Sequence, residues 1–277
     1  MTAQCHEIVR HADLVMTEHP AWRATSDGYV RIFDLIDSGR IMVIVSDGHA
    51  KAQRQLPGEA NLVCDLYTLQ ADTCQDASEL ARALTSQGTV GRFRTTNLWE
   101  ALGTAVCFRQ DVPVPTHAYH FLCLMYGEQV PLPRGGYYLM FPTPDIIVEL
   151  SPSHLASCGI GAVADVLIAA ADVYARCSES WNASSPGVLV SALQTITGVD
   201  SEVAATAIAD WSGDFAFYTY ANTRMRTLAA TAAPKTTWPR TQTEFSRRWR
   251  HLANGELSTL TALMLAWGWR QHRSAGR

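Results

Sequence analysis

Cysteine and histidine side chains are the most reactive groups in this sequence, and their spacing predicts no metal site. Seven cysteines are scattered without a Cys-x-x-Cys pair, at Cys5, Cys64, Cys74, Cys107, Cys123, Cys158 and Cys177. An odd, unpatterned set is typical of reduced thiols in a cytoplasmic protein, so we expect that location. His117 and His120 have the i, i+3 spacing of two ligands on one helix, but no third ligand accompanies them. We therefore expect two partly buried histidines, no metal and no cofactor.

Aromatic and arginine side chains are frequent in the second half of the chain, where they could hold an electron-poor ring or an anion. The aromatic candidates are Tyr119, Phe121, Tyr126, Trp211, Phe217, Tyr218 and Tyr220. Aromatic residues at helical spacing also form ordinary core. The arginine candidates are Arg224, Arg226, Arg240, Arg247, Arg248 and Arg250. They form either an anion-binding surface or a solvated basic face.

The composition indicates a folded protein with no overall attraction for polyanions. The chain has 277 residues, 47% of them hydrophobic and 17% charged, which is enough for one large domain or two smaller ones. Its formal net charge is −4, whereas nucleic-acid-binding domains are usually basic. No apolar run approaches the roughly 18–20 residues of a membrane span, and we expect no signal peptide.

The type of secondary structure predicted to position these side chains changes along the chain, from strands to helices. Two β-branched and aromatic runs, Gly28–Asp37 and Arg40–Ser46, are bounded by turn signals and predict a β-hairpin. Residues 77–88 form an amphipathic pattern that ends in glycine and predicts a short helix. The rest shows helical periods only, about eight to ten of them. We predict a mainly α fold, with a small α/β domain over residues 1–92 and an all-helical domain over residues 93–277.

Pairs of a hydroxyl residue and a proline indicate where three of these helices begin. Thr143-Pro144, Ser151-Pro152 and Ser185-Pro186 each put a capping side chain before a proline at the first helical position. Apolar stripes at helical spacing predict the buried faces of two further helices. One stripe consists of Val163, Val166, Leu167, Ala170 and Tyr174, and the other of Leu257, Leu260, Leu263, Met264 and Trp267.

The order of several local strings over about residues 90–270 resembles the helix-hairpin-helix (HhH-GPD) DNA glycosylase superfamily, on the branch of the bacterial 3-methyladenine DNA glycosylases II. The strings are Glu100–Pro113 with Gln110 and Val112, Phe141–Asp145 with Leu155–Ile160, Leu193–Ala204 with Gly198 and Val199, and Trp211–Leu228 with the final helices. A small β-rich domain also precedes the helices in that branch. The resemblance therefore implies a helix-hairpin-helix glycosylase-like helical domain.

Members of this superfamily turn a damaged nucleotide out of the duplex and hydrolyse its N-glycosidic bond with a catalytic aspartate. Its ionised carboxylate stabilises the positive charge that develops on the sugar. An ungapped count from the hairpin puts Asn222 at that position and Arg226 at a basic position four residues later. A one-residue shift puts Ala221 there instead, so neither register supplies a carboxylate. Asn222 either occupies the catalytic position as a substitute or caps the following helix.

Glu202 is the second candidate catalytic residue that the resemblance implies. It corresponds to the lysine that lyase-type members use as a nucleophile, which excludes a lyase mechanism of the family type. Glu202 is either a replacement acid or base, or a glutamate favoured in the first turn of a helix by its dipole. The candidate substrate-binding residues are Tyr218, Tyr220, Trp211 and Gln110.

Two aspartates stand at positions that contact DNA in this superfamily. The hairpin normally offers backbone N–H groups to a phosphate, but Asp200 replaces its second glycine while Gly198 keeps the first. Asp111 stands where an apolar residue would fill the gap left by the flipped base. Both changes oppose duplex binding. The candidate nucleic-acid-binding residues are Gly198, Arg224, Arg226 and Asp111.

The resemblance implies a divergent DNA-glycosylase-like protein that hydrolyses the N-glycosidic bond of an alkylated base in base excision repair. One alternative is an enzyme of the same fold that acts on a nucleoside or a biosynthetic intermediate, because the hairpin, the wedge and the aspartate are all altered. A second alternative is a non-catalytic protein that binds altered DNA. The expected partners are therefore weakly bound damaged DNA or a small molecule, and no membrane.

Overall fold

Most of the strands lie in the first third of the chain, and helices fill most of the rest. The computed structural model describes residues 5–9, 11–35, 39–46, 49–54, 62–133 and 135–275. The strands are β1 (Cys5–Val9), β2 (Leu14–Val15), β3 (Arg23–Thr25), β4 (Gly28–Leu35), β5 (Gly39–Ser46), β6 (His49–Arg54), β7 (Cys64–Tyr67), β8 (Val90–Phe93), β9 (Gln129–Pro131) and β10 (Tyr137–Leu139).

Eleven α-helices are found in the described residues, ten of them after β8. They are α1 (Ser78–Thr85), α2 (Leu98–Cys107), α3 (Pro115–Tyr126), α4 (Pro144–Glu149), α5 (Pro152–Ser157), α6 (Ala164–Asn182), α7 (Pro186–Leu193), α8 (Ser201–Ser212), α9 (Thr223–Ala232), α10 (Gln242–Ala253) and α11 (Leu257–Ala275). None of these helices is long and apolar enough to cross a membrane. The predicted helix over residues 77–88 is confirmed as α1, and the predicted mainly α class is confirmed as well.

The N-terminal strands form two sheets. The larger has five strands in the order β1-β6-β5-β4-β3, and the smaller has the order β2-β8-β7. The predicted hairpin is confirmed as the antiparallel pair β4–β5, in which Tyr29 is opposite Val45 and Leu35 is opposite Gly39. The predicted end of its first strand, Asp37, lies outside the described residues. Strand β8 runs across the proposed boundary at residue 92, and the division of the chain there remains a prediction.

The expectation that the second part of the chain is purely helical is wrong at β9 and β10. These strands form an antiparallel pair in which Tyr138 is opposite Val130. Both side chains, with Met140, pack against Val30 and Ile32 of β4, so the pair covers an apolar face of the larger sheet. Strands of three residues are too short to show the alternation by which a strand is recognised in sequence.

The three helices that begin at a proline start where the sequence predicts. Helices α4, α5 and α7 begin at Pro144, Pro152 and Pro186. Only Ser151 acts as a side-chain cap: its Oγ accepts from the His154 N–H, and the His154 ring accepts from the Ser151 N–H. The residues before the other two prolines are extended without a side-chain cap. Proline geometry therefore fixes those two starts.

Two apolar cores lie on opposite sides of α8. The first includes residues of α2 and α4–α8, and it buries Leu167 and Ala170 of the predicted α6 stripe. The second combines α1 and α9–α11 with residues of the smaller sheet, and it buries Leu260 and Leu263 of the predicted α11 stripe. Helix α8 contributes Ala204 and Ala207 to the first core and Ala209 to the second.

Candidate functional site

Residues from both sides of α8 line a cavity of about 820 Å³. Helices α2, α8, α9 and α11 contribute to its wall, together with the segment before β3 and strand β8. Cavities of about 300–1,000 Å³ are typical of sites for small molecules and cofactors. This cavity is therefore large enough for a nucleotide-sized ligand.

Most of the predicted site residues line this cavity. They are Gln110, Asp111, Glu202, Tyr218, Asn222, Arg224 and Arg226, and Asp200 lines the cavity beside them. Ala221, the position that the shifted register indicates, lines it as well. The predicted site residues Trp211 and Tyr220 lie elsewhere, because their rings pack into the first and second cores. Gly198 also lies outside the cavity lining, in the turn before α8.

Asn222 and Glu202 contact each other at the cavity wall. The Asn222 Nδ2 donates to Glu202 Oε1 at 2.8 Å, although the two residues are on different helices. The Asn222 Oδ1 accepts from the backbone N–H of Met225 at 2.9 Å, so the same side chain caps α9. Since the cap fixes the amide, its N–H₂ group holds the carboxylate of Glu202 in place.

Glu202 lies in the first turn of α8, where the helix dipole favours a negative charge. Its Oε2 accepts no hydrogen bond from any described residue. One carboxylate oxygen is thus held by Asn222, while the other is available to a ligand or a water molecule. A carboxylate in this position can stabilise a cationic sugar or accept a proton from water.

Asp200 occupies the backbone donors at the start of α8. Its Oδ1 accepts from the N–H groups of Glu202 and Val203, each at 2.9 Å. Gly198, just before it, has a φ of +83°, and a Cβ there would lie 2.5 Å from Val166. The turn before α8 therefore requires glycine at this position, and the Asp200 carboxylate accepts from helix N–H groups that could otherwise bind an anion.

Asp111 is paired within the protein. Its Oδ2 accepts from Arg109 Nη2 at 3.1 Å, and Arg109 Nη1 donates to the carbonyl oxygen of Gly198 at 3.0 Å. Arg109 thus links the loop after α2 to the hairpin before α8. The loop after α2 therefore presents a charged, internally bonded pair rather than an apolar side chain.

A network of buried charges forms one part of the cavity wall. Arg92 of β8 donates to Asp210 of α8 at 2.5 Å and to Glu18 at 2.8 Å. Asp210 also accepts from Thr95, and its Oδ2 lies 3.5 Å from His19 Nε2. Among these residues, Glu18, His19, Arg92 and Asp210 line the cavity. The cavity can therefore contact polar groups on a ligand as well as aromatic faces.

The electrostatics of this network keep Asp210 charged and His19 neutral. Burial raises the pKa of Asp210, but the positive charge of Arg92 outweighs that effect, with smaller contributions from Arg31 and the Thr95 hydroxyl, and the pKa lies well below its usual range. Burial, reinforced by Arg31, lowers the pKa of His19 well below its ordinary value. The His19 Nδ1 accepts from the Ala21 N–H at 3.1 Å. In the neutral ring the proton is therefore on Nε2, which faces Asp210.

Sequence reasoning missed Glu18, His19, Arg92, Asp210 and the α11 residues of the cavity wall. Asp210 carried a signal, because it is the one carboxylate after Glu202 in an otherwise small or apolar stretch of α8. A buried charge of this kind needs a partner, but its partner Arg92 is 118 residues away in the sequence. Trp269 and His272, spaced i, i+3 on α11, also line the cavity.

The two histidines considered as ligands have separate partners. His117 stacks on Phe121 with a ring separation of 6.2 Å, whereas His120 Nε2 lies 2.8 Å from the carbonyl oxygen of Pro20. His120 is partly buried, as predicted, but His117 is exposed. Within the described residues, no group of three or more His, Cys, Asp or Glu side chains is arranged to hold a metal ion.

Solved structures that resemble this chain are DNA glycosylases. MBOgg1, bound to a low-affinity DNA ligand, aligns with a TM-score of 0.66 and 15% identity over 98% of this chain and 99% of its own. The Clostridium acetobutylicum 8-oxoguanine glycosylase/lyase, bound to DNA with cytosine opposite 8-oxoguanine, aligns with a TM-score of 0.65 and 14% identity over 91% and 88%.

A 3-methyladenine DNA glycosylase from Archaeoglobus fulgidus aligns with a TM-score of 0.67 and 15% identity, over 95% of this chain and 97% of its own. Neither a protein-family model nor a curated protein sequence matches the chain. At this level of identity the likeness concerns the fold. The chain therefore has a helix-hairpin-helix DNA glycosylase-like fold, as its sequence predicts, with a small N-terminal sheet region before the helices.

Proposed function

We propose that this protein hydrolyses the N-glycosidic bond of a nucleoside or nucleotide that is not held in a duplex. The carboxylate of Glu202, fixed by Asn222 on the wall of the 820 Å³ cavity, is the observation that carries this proposal. In the reaction the bond between C1′ and the base nitrogen breaks, a water oxygen bonds to C1′, and a proton reaches the departing nitrogen. Glu202 stabilises the sugar cation or takes the proton from the attacking water.

The rest of the cavity wall suits a heterocyclic base. Phe215, Tyr218 and Trp269 supply aromatic surface, and the polar groups of His19 and Arg92 supply hydrogen-bonding capacity. If the base binds against these residues, its sugar can lie beside the part of the wall formed by Glu202 and Asn222. A substrate of nucleoside size accounts for this combination of an aromatic and a charged lining.

The state of the hairpin supports a substrate outside a duplex. Asp200 occupies the N–H groups of Glu202 and Val203, and Asp111 is paired with Arg109. A phosphate that approached the start of α8 would displace one carboxylate and meet the charge of another. Both features weaken the binding of a duplex, and neither weakens the binding of a free nucleoside.

Base excision from DNA is the second candidate. It is favoured by the exposed arginine Arg224 on the cavity wall, which makes no hydrogen bond or ion pair to a described residue. Alkylated bases leave readily because they are positively charged, so they need little catalytic assistance. A protein with this cavity and a weak duplex contact would then excise such bases slowly.

Release of free base distinguishes the two candidates. The protein is incubated in parallel with 2′-deoxynucleosides, their 5′-monophosphates, the corresponding alkylated nucleosides, and a duplex that contains 3-methyladenine or 7-methylguanine. Chromatography then measures each released base. The proposal expects release from at least one free nucleoside or nucleotide at a higher kcat/KM than from the duplex. Release from the duplex alone would establish the second candidate, and no release from any substrate would contradict both.

A further inference from the structure

A second, positively charged groove lies beside the cavity. Its volume is about 460 Å³, and it is lined by Ala221, Gln242, Thr243, Ser246, Arg247 and Arg250. Ala221 and Gln242 also line the main cavity, so the two spaces adjoin at α9 and α10. We propose that this groove, which we call the α10 groove, binds the phosphate of a substrate whose base and sugar occupy the main cavity. This inference rests on the proposed function, because it specifies the substrate as a nucleotide.

The chemistry of the α10 groove favours an anion. In the part of the chain that the structure describes, no carboxylate lines it, and its polar side chains are two guanidinium groups, two hydroxyls and one amide. Arg247 and Arg250 are three residues apart on one helix, so they project from the same face. Guanidinium groups with hydroxyl neighbours are the donors that recognise phosphate oxygens.

Arg247 is not committed to a partner as several neighbouring arginines are. Arg248 pairs with Asp76 at 3.6 Å, and Arg226 donates to the carbonyl oxygen of Arg240. Arg247, by contrast, is exposed and makes no hydrogen bond or ion pair to another described residue. A cation left free at the edge of a ligand-sized cavity costs little in water and is available to a phosphate.

Tyr220 holds Arg250 in place. Its hydroxyl accepts from Arg250 Nε at 2.5 Å, and the guanidinium carbon lies 5.8 Å from the centre of its ring. Tyr220 is buried, with 7% of its surface exposed, so the contact is anchored in the second core. Fixing the arginine in advance reduces the entropy lost when an anion binds. Tyr220, which the sequence placed at the substrate, is in this account a positioning residue.

The α10 groove would bind a phosphate at a different place from the start of α8. Asp200 fills the donors at the start of α8, whereas the α10 groove offers donors from α10 that no carboxylate of its lining occupies. A phosphate monoester of a free nucleotide and a phosphodiester of a single strand share this chemistry. The monoester carries a charge of about −1.5 to −2 at pH 7 and the diester carries −1, so the two sources are separable by affinity.

Calorimetric titration tests the proposal without requiring turnover. The probes are the four 2′-deoxynucleoside 5′-monophosphates, the four nucleosides and the corresponding dinucleotides. We expect the best-bound monophosphate to bind at least about tenfold more tightly than its nucleoside. R247A and R250A should each weaken the monophosphate about tenfold and leave the nucleoside unchanged, and Y220F should weaken the monophosphate by a smaller factor. R176A removes the same charge from an exposed position on α6 and should change neither affinity.

The outcomes separate this proposal from the proposed function. Equal affinities for nucleotide and nucleoside, unchanged nucleotide binding in R247A and R250A, or no binding of any monophosphate at millimolar concentration would each overturn the phosphate site. Arginine-dependent nucleotide binding without base release would support the α10 groove and count against the hydrolytic function. Tighter binding of the monophosphate than of the dinucleotide identifies a free nucleotide as the source, and the reverse order identifies a single strand.

Discussion

At the scale of single residues, the amide of Asn222 has two roles that a catalytic aspartate would not combine. Its oxygen caps α9 through the Met225 N–H, and its nitrogen donates to Glu202 on α8. An aspartate would keep the cap and lose the donor. The pair thus holds the carboxylate of Glu202 at the cavity wall, although the ungapped count in the sequence predicts the catalytic position at Asn222, which is an amide.

The substitution N222D tests this pairing through the pH dependence of stability. It would bring two carboxylates together, and their repulsion raises the folded-state pKa of the pair above the unfolded value of about 4. Relative to the wild type, N222D is therefore least destabilised at low pH, and its deficit grows as the pH rises through the folded-state pKa. We expect the deficit relative to the wild type to grow by about 1 kcal/mol between pH 4 and pH 8 in urea unfolding.

The double variant N222D/E202Q is the matched control. It restores one carboxylate opposite one amide, so its deficit relative to E202Q should not grow as the pH rises over the same range. A deficit of N222D that is constant with pH would show that residues 202 and 222 do not interact in solution.

The residue scale also shows what sequence can and cannot supply about the site. Asn222 and Glu202 were both identified as candidates, as were their roles as a cap and a first-turn glutamate. Their contact could not be predicted, because it depends on how α8 and α9 meet across 20 residues of sequence. The part of the cavity wall formed by Arg92 and Asp210 could not be predicted for the same reason, because Arg92 is on strand β8 and Asp210 is on helix α8.

At the scale of elements, the start of α8 shows how a capping side chain can close an anion site at a helix N-terminus. Asp200 supplies to the helix the two acceptor contacts that a phosphate would otherwise supply. Helix starts of this kind are well signalled in sequence, and the proline at the first position identified α4, α5 and α7. The β9–β10 pair was not signalled, because three residues per strand give no pattern and because the pair is specified by the sheet that it covers.

Two substitutions separate the effect of the negative charge of Asp200 from the effect of its hydrogen bonds with the N–H groups at the start of α8. D200G frees the N–H groups of Glu202 and Val203, and replacing a cap by glycine costs only a few tenths of a kcal/mol. D200N removes the charge but keeps an acceptor on the helix. We expect D200G to bind duplex DNA with an abasic-site analogue more tightly than D200N, and D200N more tightly than the wild type.

Fluorescence titration at several salt concentrations provides the measurement. D200G should make the binding constant depend more steeply on salt concentration, by the amount expected for about one additional phosphate contact, whereas D200N should leave this dependence unchanged. Tight binding by the unmodified protein with a steep salt slope would contradict our account of the hairpin, as would an unchanged affinity of D200G.

At the scale of the whole molecule, buried charges connect the N-terminal sheets to the helices. Arg92 of β8 bonds to Asp210 of α8, and Arg31 of β4 donates to Glu100 of α2 at 3.1 Å. His19 lies between these pairs, 3.5 Å from Asp210. Removing one member of such a network leaves another charge buried without a partner, which is costly. The network therefore fixes the sheets against the wall of the cavity.

His19 makes the stability of this arrangement sensitive to mild acid. Its folded-state pKa lies well below the unfolded value of about 6.5, so the unfolded chain binds a proton more readily. Stability is therefore lost as the pH falls below about 6.5. We expect H19N, which can still accept from the Ala21 N–H, to reduce the slope of stability between pH 6.5 and 5 by up to about 1.4 kcal/mol per pH unit.

Chemical unfolding at half-unit pH intervals measures that slope. The exposed histidine His117 provides the control, and H117N should retain the wild-type slope. A slope that H19N leaves unchanged would mean that His19 is protonated in the folded protein or is not buried.

The central claim is that the carboxylate of Glu202 performs the hydrolysis, and single-turnover base release by the wild type and by E202Q tests it most directly. The assay uses the nucleoside or nucleotide that the substrate panel identifies, with E179Q, at an exposed position on α6, as the control. A carboxylate that stabilises the transition state by about 3–4 kcal/mol predicts a rate for E202Q lower by a factor of about 10²–10³, with E179Q unchanged. A rate for E202Q within a factor of three of the wild type would contradict the claim.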